Sequence, residues 1–509
     1  MITTSRRGAD SVAFVAVLAV AGVLQLTALG SAPVRVSTDE ARVAVQAQSI
    51  AATGRDVLGN RLPLFFRITN PLRPDDPNVT WWQPTLFYLI AGVLRLTPLS
   101  PFAVRLPIAL LAIVDVVLIF VVARQLFGTA WYGVLAALFL ALTPAHFIFG
   151  RQAFDYFCPM TATLAWLVCL LRALDSDEAW WPAATGFLLG IALYSYITSW
   201  VVMPCYVGAT AVALWWCGKP IRHVAALAIG FAIPLLPLAI WLMAHPSMPR
   251  EVFADYRVKS TIHLADRLDV YWDYFNPSYL FFSGGSNPMF ATRRAGVFPL
   301  GAAVLLPCGL WSIATTRPSV ARTIVAAGFF FAPIPIVLAM PTDPKYFTAR
   351  ELLVIPYGVI ISIAGVEWLI EHRRPAMTVA AVIIVASVPL QFAAFARDYF
   401  TRYQEWSAFR FDSMNFRDVA ANVASQDLMA RVPAVYVSDM LGEDKVIQWE
   451  FQLLVMGRAD LWARTKYLAV AQADAVPPGS IVITSDAEHI TGNRWEATRT
   501  ADAVILRRN

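Results

Sequence analysis

Apolar runs of 17 to 22 residues recur along most of the chain, at 11–30, 103–124, 130–148, 157–174, 183–199, 200–217, 223–244, 298–315, 323–340, 352–371 and 376–396. Each is about as long as a helix must be to cross the hydrocarbon core of a bilayer. The pattern predicts a polytopic α-helical membrane protein with about eleven transmembrane helices. One more apolar stretch, 84–97, reaches only about 21 Å as a helix against a core of roughly 30 Å. It reads as a juxtamembrane helix lying at the surface.

That assignment fixes the parity of the later spans, and the basic residues support it. With 84–97 at the surface, one side collects Arg6, Arg7, Arg124, Arg172, Lys219, Arg222, Arg317, Arg322, Arg373 and Arg374. The short loops opposite carry only Arg151, Lys345 and Arg350. Short cytoplasmic loops hold the excess of Lys and Arg, so the N-terminus is expected to be cytoplasmic. The long polar segments 31–102, 245–297 and 397–509 then face the exterior. The apolar run after Arg6 and Arg7 is a full span without a small-residue cleavage site, and is read as a retained first helix.

Within 31–102, Val43, Ala44, Ala47, Ile50 and Ala51 make an apolar stripe at helical spacing, predicting an amphipathic helix from Asp39 to Thr53 stopped by Gly54. Segment 245–297 is rich in aromatics (Tyr271, Trp272, Tyr274, Phe275, Tyr279, Phe281, Phe282), as suits a partly membrane-bound loop. In the tail, 416–426 and 445–456 read as helices and 434–438, 481–484 and 503–506 as short strands, predicting a small α/β domain. The expected organisation is a transmembrane domain, 1–396, followed by an exterior domain, 397–509.

Composition agrees with the pattern. The chain is 58% hydrophobic and 15% charged, with a formal net charge of +5. No basic run is dense enough for nucleic acid. The five cysteines lie in or beside apolar segments without metal-ligand spacing, and read as small hydrophobes.

Three stretches carry candidate chemistry. Ser37-Thr38-Asp39-Glu40 puts two adjacent carboxylates where the first span emerges. Ser37 and Glu40 fit a capping box, and acids suit a helix N-terminus, so Glu40 is a cap or a catalytic group, while the box leaves Asp39 unexplained. Asp155 follows the third span on the same predicted face as Asp39, and an acid at membrane depth is a functional candidate unless Arg151 pairs with it locally. The third stretch, around Lys345, Tyr346 and Arg350, places cations on the side where they are scarce. Cations there suit a lipid phosphate, with interfacial snorkelling or a Glu351 pair as the plain alternatives. Together these groups could move a unit from an anionic lipid to an acceptor outside the cell, a carboxylate taking a hydroxyl proton and cations stabilising the departing phosphate.

Several segments, in this order, carry a resemblance. They are Thr38-Asp39-Glu40, Phe102-Ala-Val-Arg105-Leu-Pro107, Phe149-Gly-Arg151 through Asp155, Gly190-Ile-Ala-Leu-Tyr194-Ser-Tyr196, Phe275-Asn276-Pro277 through Gly284, and Arg350 with Ile355-Pro356. The pattern resembles the GT-C superfamily of membrane glycosyltransferases, most closely glycosyltransferase family 39, which includes protein O-mannosyltransferases and aminoarabinose transferases of lipid A. Trp82-Gln83-Pro84-Thr85 stands where relatives often have a basic residue and Pro-Pro, and Lys345 and Tyr346 where some have a His.

The resemblance implies an inverting transfer from a polyprenyl-phosphate sugar donor to a glycolipid, polysaccharide or protein acceptor on the periplasmic or extracytoplasmic side of the inner membrane. By carry-over, Asp39 would be the general base or acceptor-positioning carboxylate, beside Glu40, and Asp155 the second acid. Arg350, with Lys345 or Arg151, would contact the donor phosphate, and Tyr194, Tyr196, Asn276 and Tyr346 would line the substrate site. A divalent cation, Mg or Mn, held by Asp39 and Asp155 is a further implication. The positive end of a helix favours an ionised carboxylate, so Asp39 would orient the acceptor or hold the cation, with proton removal coupled to departure of the phosphate. The competing readings are a transporter or flippase of a lipid-linked precursor, for which mid-span charge is sparse (Asp115 is one instance), and a non-catalytic receptor, which leaves the exterior acids unexplained.

Overall fold

The apolar segments form helices in the computed structural model, which describes residues 2–73, 80–255, 263–316, 319–339, 352–372, 374–486, 490, 494–500 and 503–509. Among the described residues, seven helical stretches are long and apolar enough to cross a membrane: Pro101–Phe127, Asp155–Asp175, Ser199–Trp216, Ile221–Ala244, Val320–Leu338, Val354–Glu371 and Pro375–Phe400. The apolar helices Asp10–Leu26, Thr85–Leu94, Ala130–Ala141 and Ala302–Thr315 are shorter. Thr85–Leu94 has 10 residues, about 15 Å. The adjoining predicted spans 183–199 and 200–217 form two helices separated by a turn. One helix ends at Ala192, a turn follows, and the next begins at Ser199. Ser195 explains the break, since its hydroxyl bonds the Ala192 carbonyl (2.6 Å) and the Ser199 hydroxyl (2.9 Å), competing with the helical ladder.

The Cα positions cluster into two compact units. The first comprises residues 1–27, 83–86 and 107–403, and the second 28–82, 87–106 and 404–509. In the first, Trp180–Ala192 and Ile221–Ala244 pack backbone to backbone. A Cβ at Gly230 would lie 2.0 Å from the Ala183 carbonyl oxygen, and one at Gly186 2.1 Å from that of Leu227. Only glycine permits this approach, the small-residue packing that lets apolar helices associate where lipid is as apolar as leucine. The Val354–Glu371 helix is buried along most of its length. From the aromatic segment 245–297, the Leu264–Asp273 helix reaches the Val337 and Leu338 carbonyls through Arg267 (2.6 and 3.0 Å) and that of Phe330 through Tyr271 (2.9 Å).

The second unit joins the segment after the first helix to the C-terminal tail. Strands β1 (Phe66–Ile68) and β2 (Thr80–Trp82) make an antiparallel pair. A five-stranded sheet is built from β3 (Val435–Ser438), β4 (Thr465–Leu468), β5 (Ile481–Thr484), β6 (Trp495–Thr500) and β7 (Ala503–Arg508), in the order β4-β3-β5-β7-β6. β3 pairs in parallel with β4 and β5, and β7 runs antiparallel to β5 and β6. Alternate residues serve opposite faces. Ile481, Ile483 and Ile505 meet Phe416, Val419 and Trp449 on one side, while Val482, Val504 and Leu506 meet Leu468 and Val476 on the other. Residues of Phe416–Met429 and Glu443–Val455 supply the first of these layers, so the tail is the small α/β fold expected, with two strands more than its apolar pattern showed.

Close packing at Gly230 gives the first test. Gly230→Leu should lower the thermal midpoint of the purified protein, since overpacking costs about 1–3 kcal/mol. Gly208→Leu, where an added Cβ meets nothing within 4 Å, should leave the midpoint unchanged or raise it.

Candidate functional site

In the second unit the helix Thr38–Thr53 begins with both arms of a capping box. The Glu40 amide donates to the Ser37 hydroxyl at 3.2 Å, and the Ser37 amide to Glu40 Oε2 at 2.9 Å. Gly54, with φ +71°, closes the other end. Glu40 is fully buried and does more than cap. Arg105 Nε donates to its Oε1 at 2.8 Å and Nη2 to its Oε2 at 3.2 Å. The same guanidinium donates through Nη1 to the carbonyls of Leu29 and Pro33 (3.2 and 2.8 Å) and through Nη2 to that of Arg35 (2.8 Å). Its five N–H groups are thereby all used, and the loop 29–37 is wrapped around them.

Asp39 lies one residue before this pair but turns outward, 38% of its side chain exposed. Arg42, one turn on, reaches Asp39 at 3.5 Å and also pairs with Asp444 on the Glu443–Val455 helix. Gln448 of that helix donates to the carbonyls of Val36 (3.3 Å) and Phe411 (3.0 Å), and Arg35 donates to the Asp412 carbonyl at 2.5 Å. The stretch bearing Asp39 is therefore seated on C-terminal elements by side chains outside any motif. Asp412 accepts from the amides of Phe416 (2.6 Å) and Met414 (3.2 Å), and burial raises its carboxyl above the ordinary range. Beside Arg42 is a cavity of about 250 Å³ that also receives Glu450. Burial pushes the Glu450 carboxyl up to about 8.

In the first unit Arg151 is fully buried and closes the first helix, donating to the carbonyls of Leu24 (2.7 Å), Gln25 (2.9 Å) and Thr27 (2.6 Å). A cation at a helix C-terminus meets the negative end of its dipole, and the rings of Phe147, Tyr399 and Phe400 lie 5.1 to 5.8 Å from the guanidinium carbon. Read from the sequence as a donor-phosphate contact, Arg151 has this anchoring part in the fold. Asp155, 6% exposed, opens the turn leading into the Cys158–Asp175 helix. Its neighbour Tyr156 stacks on Phe154 and meets Tyr196 edge-on at 5.4 Å, bringing Tyr196 to this turn. Tyr194 donates its hydroxyl to the Pro234 carbonyl at 2.6 Å, and Asn276 accepts from the Ser278 amide at 2.9 Å. Asp115, the mid-span acid, faces His146 at 3.8 Å with both side chains fully buried.

Lys345, Tyr346, Arg350 and Glu351 lie outside the described residues. Among those described, no three His, Cys, Asp or Glu side chains lie close enough to share a metal ion. With Asp39 beside the Arg42 guanidinium, the donor set there does not by itself fit Mg or Mn.

Comparison with known proteins agrees with this architecture. Residues 75–241, about a third of the chain, match the family described as dolichyl-phosphate-mannose-protein mannosyltransferase. Over 97% of both chains the fold aligns with ArnT from Cupriavidus metallidurans bound to undecaprenyl phosphate, with a TM-score of 0.60 and 14% identity. The apo form of that protein aligns equally far, at 0.61 and 16%. No curated protein sequence matches. The resemblance to GT-C glycosyltransferases of the family 39 type is borne out at the level of the fold.

Two outcomes test the energetics of this region. Breaking the buried pair by Arg105→Met should destabilise the protein by about 3–5 kcal/mol, and Glu40→Leu added to it should restore much of that loss, because no charge is then left buried alone; denaturation of the single and double variants measures both. For Glu450, a folded-state pKa above the unfolded value means the folded protein holds the proton more tightly. That contribution is complete below the ordinary carboxyl range and lost as pH rises through about 8. Stability should fall between pH 5 and 8 by an amount on the order of a few kcal/mol, Asp412 adding to the slope with the same sign. Glu450→Gln should flatten it, as read from thermal midpoints across pH.

Proposed function

We propose that this chain is a glycosyltransferase of the inner membrane, moving a sugar from a polyprenyl-phosphate donor to an acceptor hydroxyl on the exterior face. The observation that carries the reading is Asp39 itself. It is a partly exposed carboxylate, beside Arg42, in the first turn of a helix whose start is fixed by the buried Glu40–Arg105 pair, in a chain with the fold of a protein solved with undecaprenyl phosphate. The positive-inside pattern supports an exterior placement of this stretch and a cytoplasmic N-terminus.

In this reading the acceptor oxygen attacks the anomeric carbon from the side opposite the phosphate. The new C–O bond forms as the sugar–phosphate bond breaks, the configuration inverts, and polyprenyl phosphate leaves with the bonding pair. Asp39 orients the acceptor hydroxyl and takes its proton, or holds the hydroxyl while the proton passes to the departing phosphate. Lys345 and Arg350 are the cations proposed to meet that phosphate. Asp155, with Tyr156 and Tyr196 at its turn, is proposed as the second acid, positioning substrate. No step passes through a metal. Glu40 enters as a positioning residue, through Arg105 and Ser37, rather than by touching substrate.

The Asp115–His146 pair is the one feature that favours a transporter instead, since buried titratable pairs within spans serve proton-coupled transport. One assay separates the readings. In membranes given a radiolabelled polyprenyl-phosphate sugar, the wild-type chain should label an acceptor. Asp39→Asn and Asp155→Asn should each cut that labelling by at least about 10²-fold, with unchanged membrane insertion and thermal midpoint. Labelling by Asp39→Asn at the wild-type rate would remove Asp39 from the chemistry. Movement of intact donor across the bilayer without transfer would favour transport.

A further inference from the structure

The second unit contains a cavity that the proposed chemistry does not use. It has a volume of about 250 Å³, and Arg42, Gln46, Asn70, Ile447, Glu450 and Trp462 are among the residues that line it. Five short segments build it: part of the Thr38–Thr53 helix, Val57 and Leu58 after it, the end of β1 with the turn that follows, one face of Glu443–Val455, and Trp462 of the short Ala459–Ala463 helix. At this size it is smaller than the pockets of roughly 300–1,000 Å³ that take drug-sized ligands, and it suits a single small ring.

Glu450 makes the cavity chemically unusual. Only 7% of the residue is exposed, and its buried Oε2 has no hydrogen-bond partner among the described residues. An acid on an otherwise buried helix face costs folding free energy unless something completes its hydrogen bonding. Among the described residues none completes the bonding of Oε2, and the cavity that Glu450 lines is where a partner would sit.

The lining narrows the choice of partner. Trp462, Ile447 and Ile68 supply apolar wall, and Trp462 a broad aromatic face. Gln46 and Asn70 each have one side-chain oxygen occupied by a backbone amide, at 3.2 Å from Val57 and 3.0 Å from Leu72, so both amide groups are held in place at the wall. Among the described residues Arg42 is the one cation in the lining, and Asp39 and Asp444, which are not lining residues, already engage it, so the cavity offers an anion no cation of its own. Burial keeps the Glu450 carboxyl mostly protonated at neutral pH, so it can donate through its hydroxyl and accept through its carbonyl, as a neutral hydroxyl group requires. Apolar face and paired polar edges are together the chemistry of a sugar ring.

We infer that this cavity binds a neutral sugar ring, with its hydroxyls on Glu450 and its C–H face toward Trp462. Arg42 connects the two places, since it lines the cavity and pairs with Asp39 one turn away. The bound sugar is then a unit of the acceptor, held next to the carboxylate that would activate it. That last identification rests on the transferase reading, whereas the binding does not.

The test measures binding without donor. Full-length protein in detergent is mixed with methyl glycosides of glucose, galactose, mannose and arabinose, and separately with glucosamine, and saturation-transfer NMR is recorded. At least one neutral glycoside should give a signal. Glu450→Leu and Trp462→Ala should weaken its Kd by at least about tenfold, while Glu450→Gln, which still donates and accepts, should stay within about threefold. Glu450→Leu should keep or raise the thermal midpoint, because it removes an unpaired buried acid. The inference is overturned if no neutral glycoside binds, if Glu450→Leu binds like wild type, or if the midpoint of Glu450→Leu falls with binding unchanged. It is equally overturned if only glucosamine binds and Glu450→Gln abolishes that, which would make the ligand a cation. Absence of any sugar transfer by the wild-type chain, with this binding intact, would count against the transferase reading alone.

Discussion

Arg105 spends every one of its N–H groups on a single loop and the carboxylate that follows it. A buried ion pair of this kind is weak as a source of stability, because desolvating two charges offsets most of their attraction. Its effect is on geometry. Three carbonyls, a cap and a carboxylate converge on one planar fork, so loop 29–37 and the start of the Thr38–Thr53 helix have one arrangement that satisfies them all. Asp39 inherits that arrangement. It is partly exposed, whereas its neighbour Glu40 is fully buried.

The same stretch is held from the C-terminal side of its unit. Arg35 reaches Asp412, Gln448 reaches the Val36 carbonyl, and Arg42 reaches Asp444. The Glu443–Val455 helix thus has two roles. Trp449 and Val446 fill the core above the sheet, while Asp444, Gln448 and Glu450 face the first loop and its cavity. Sequence changes in the tail can in this way alter the setting of a carboxylate some four hundred positions earlier, through direct contacts within one compact unit.

What was legible in the sequence was local. Cap chemistry gave the start and stop of the Thr38–Thr53 helix, and runs of apolar residues gave most long helices and strands β3, β5 and β7. β4 and β6 escaped because Thr465–Leu468 carries a lysine among few apolar residues and Trp495–Thr500 is exposed over its middle four positions. The anchoring parts of two arginines were not legible for another reason. Arg105 and Arg151 find backbone carbonyls distant in sequence, and carbonyls leave no mark on residue type. The resemblance assigns Arg151 to the donor phosphate, and nothing in residue type announces the carbonyls that it also holds. Nothing in residue type marks Glu450 within the predicted helix 445–456, since the turn after β1 that shares its cavity is remote in the chain.

The hold of Arg151 on the first helix bears on how the protein is made. The carbonyls of Leu24, Gln25 and Thr27 are donated to by a residue synthesised more than 120 positions later. Until that residue arrives, the C-terminal end of the first helix has only water or lipid headgroups for its last acceptors, and only as long as it stays at the bilayer surface. The first helix enters the membrane unfinished at one end. Its completion belongs to assembly of the bundle, not to insertion, so loss of Arg151 should be felt by the nascent chain before it is felt by the folded protein.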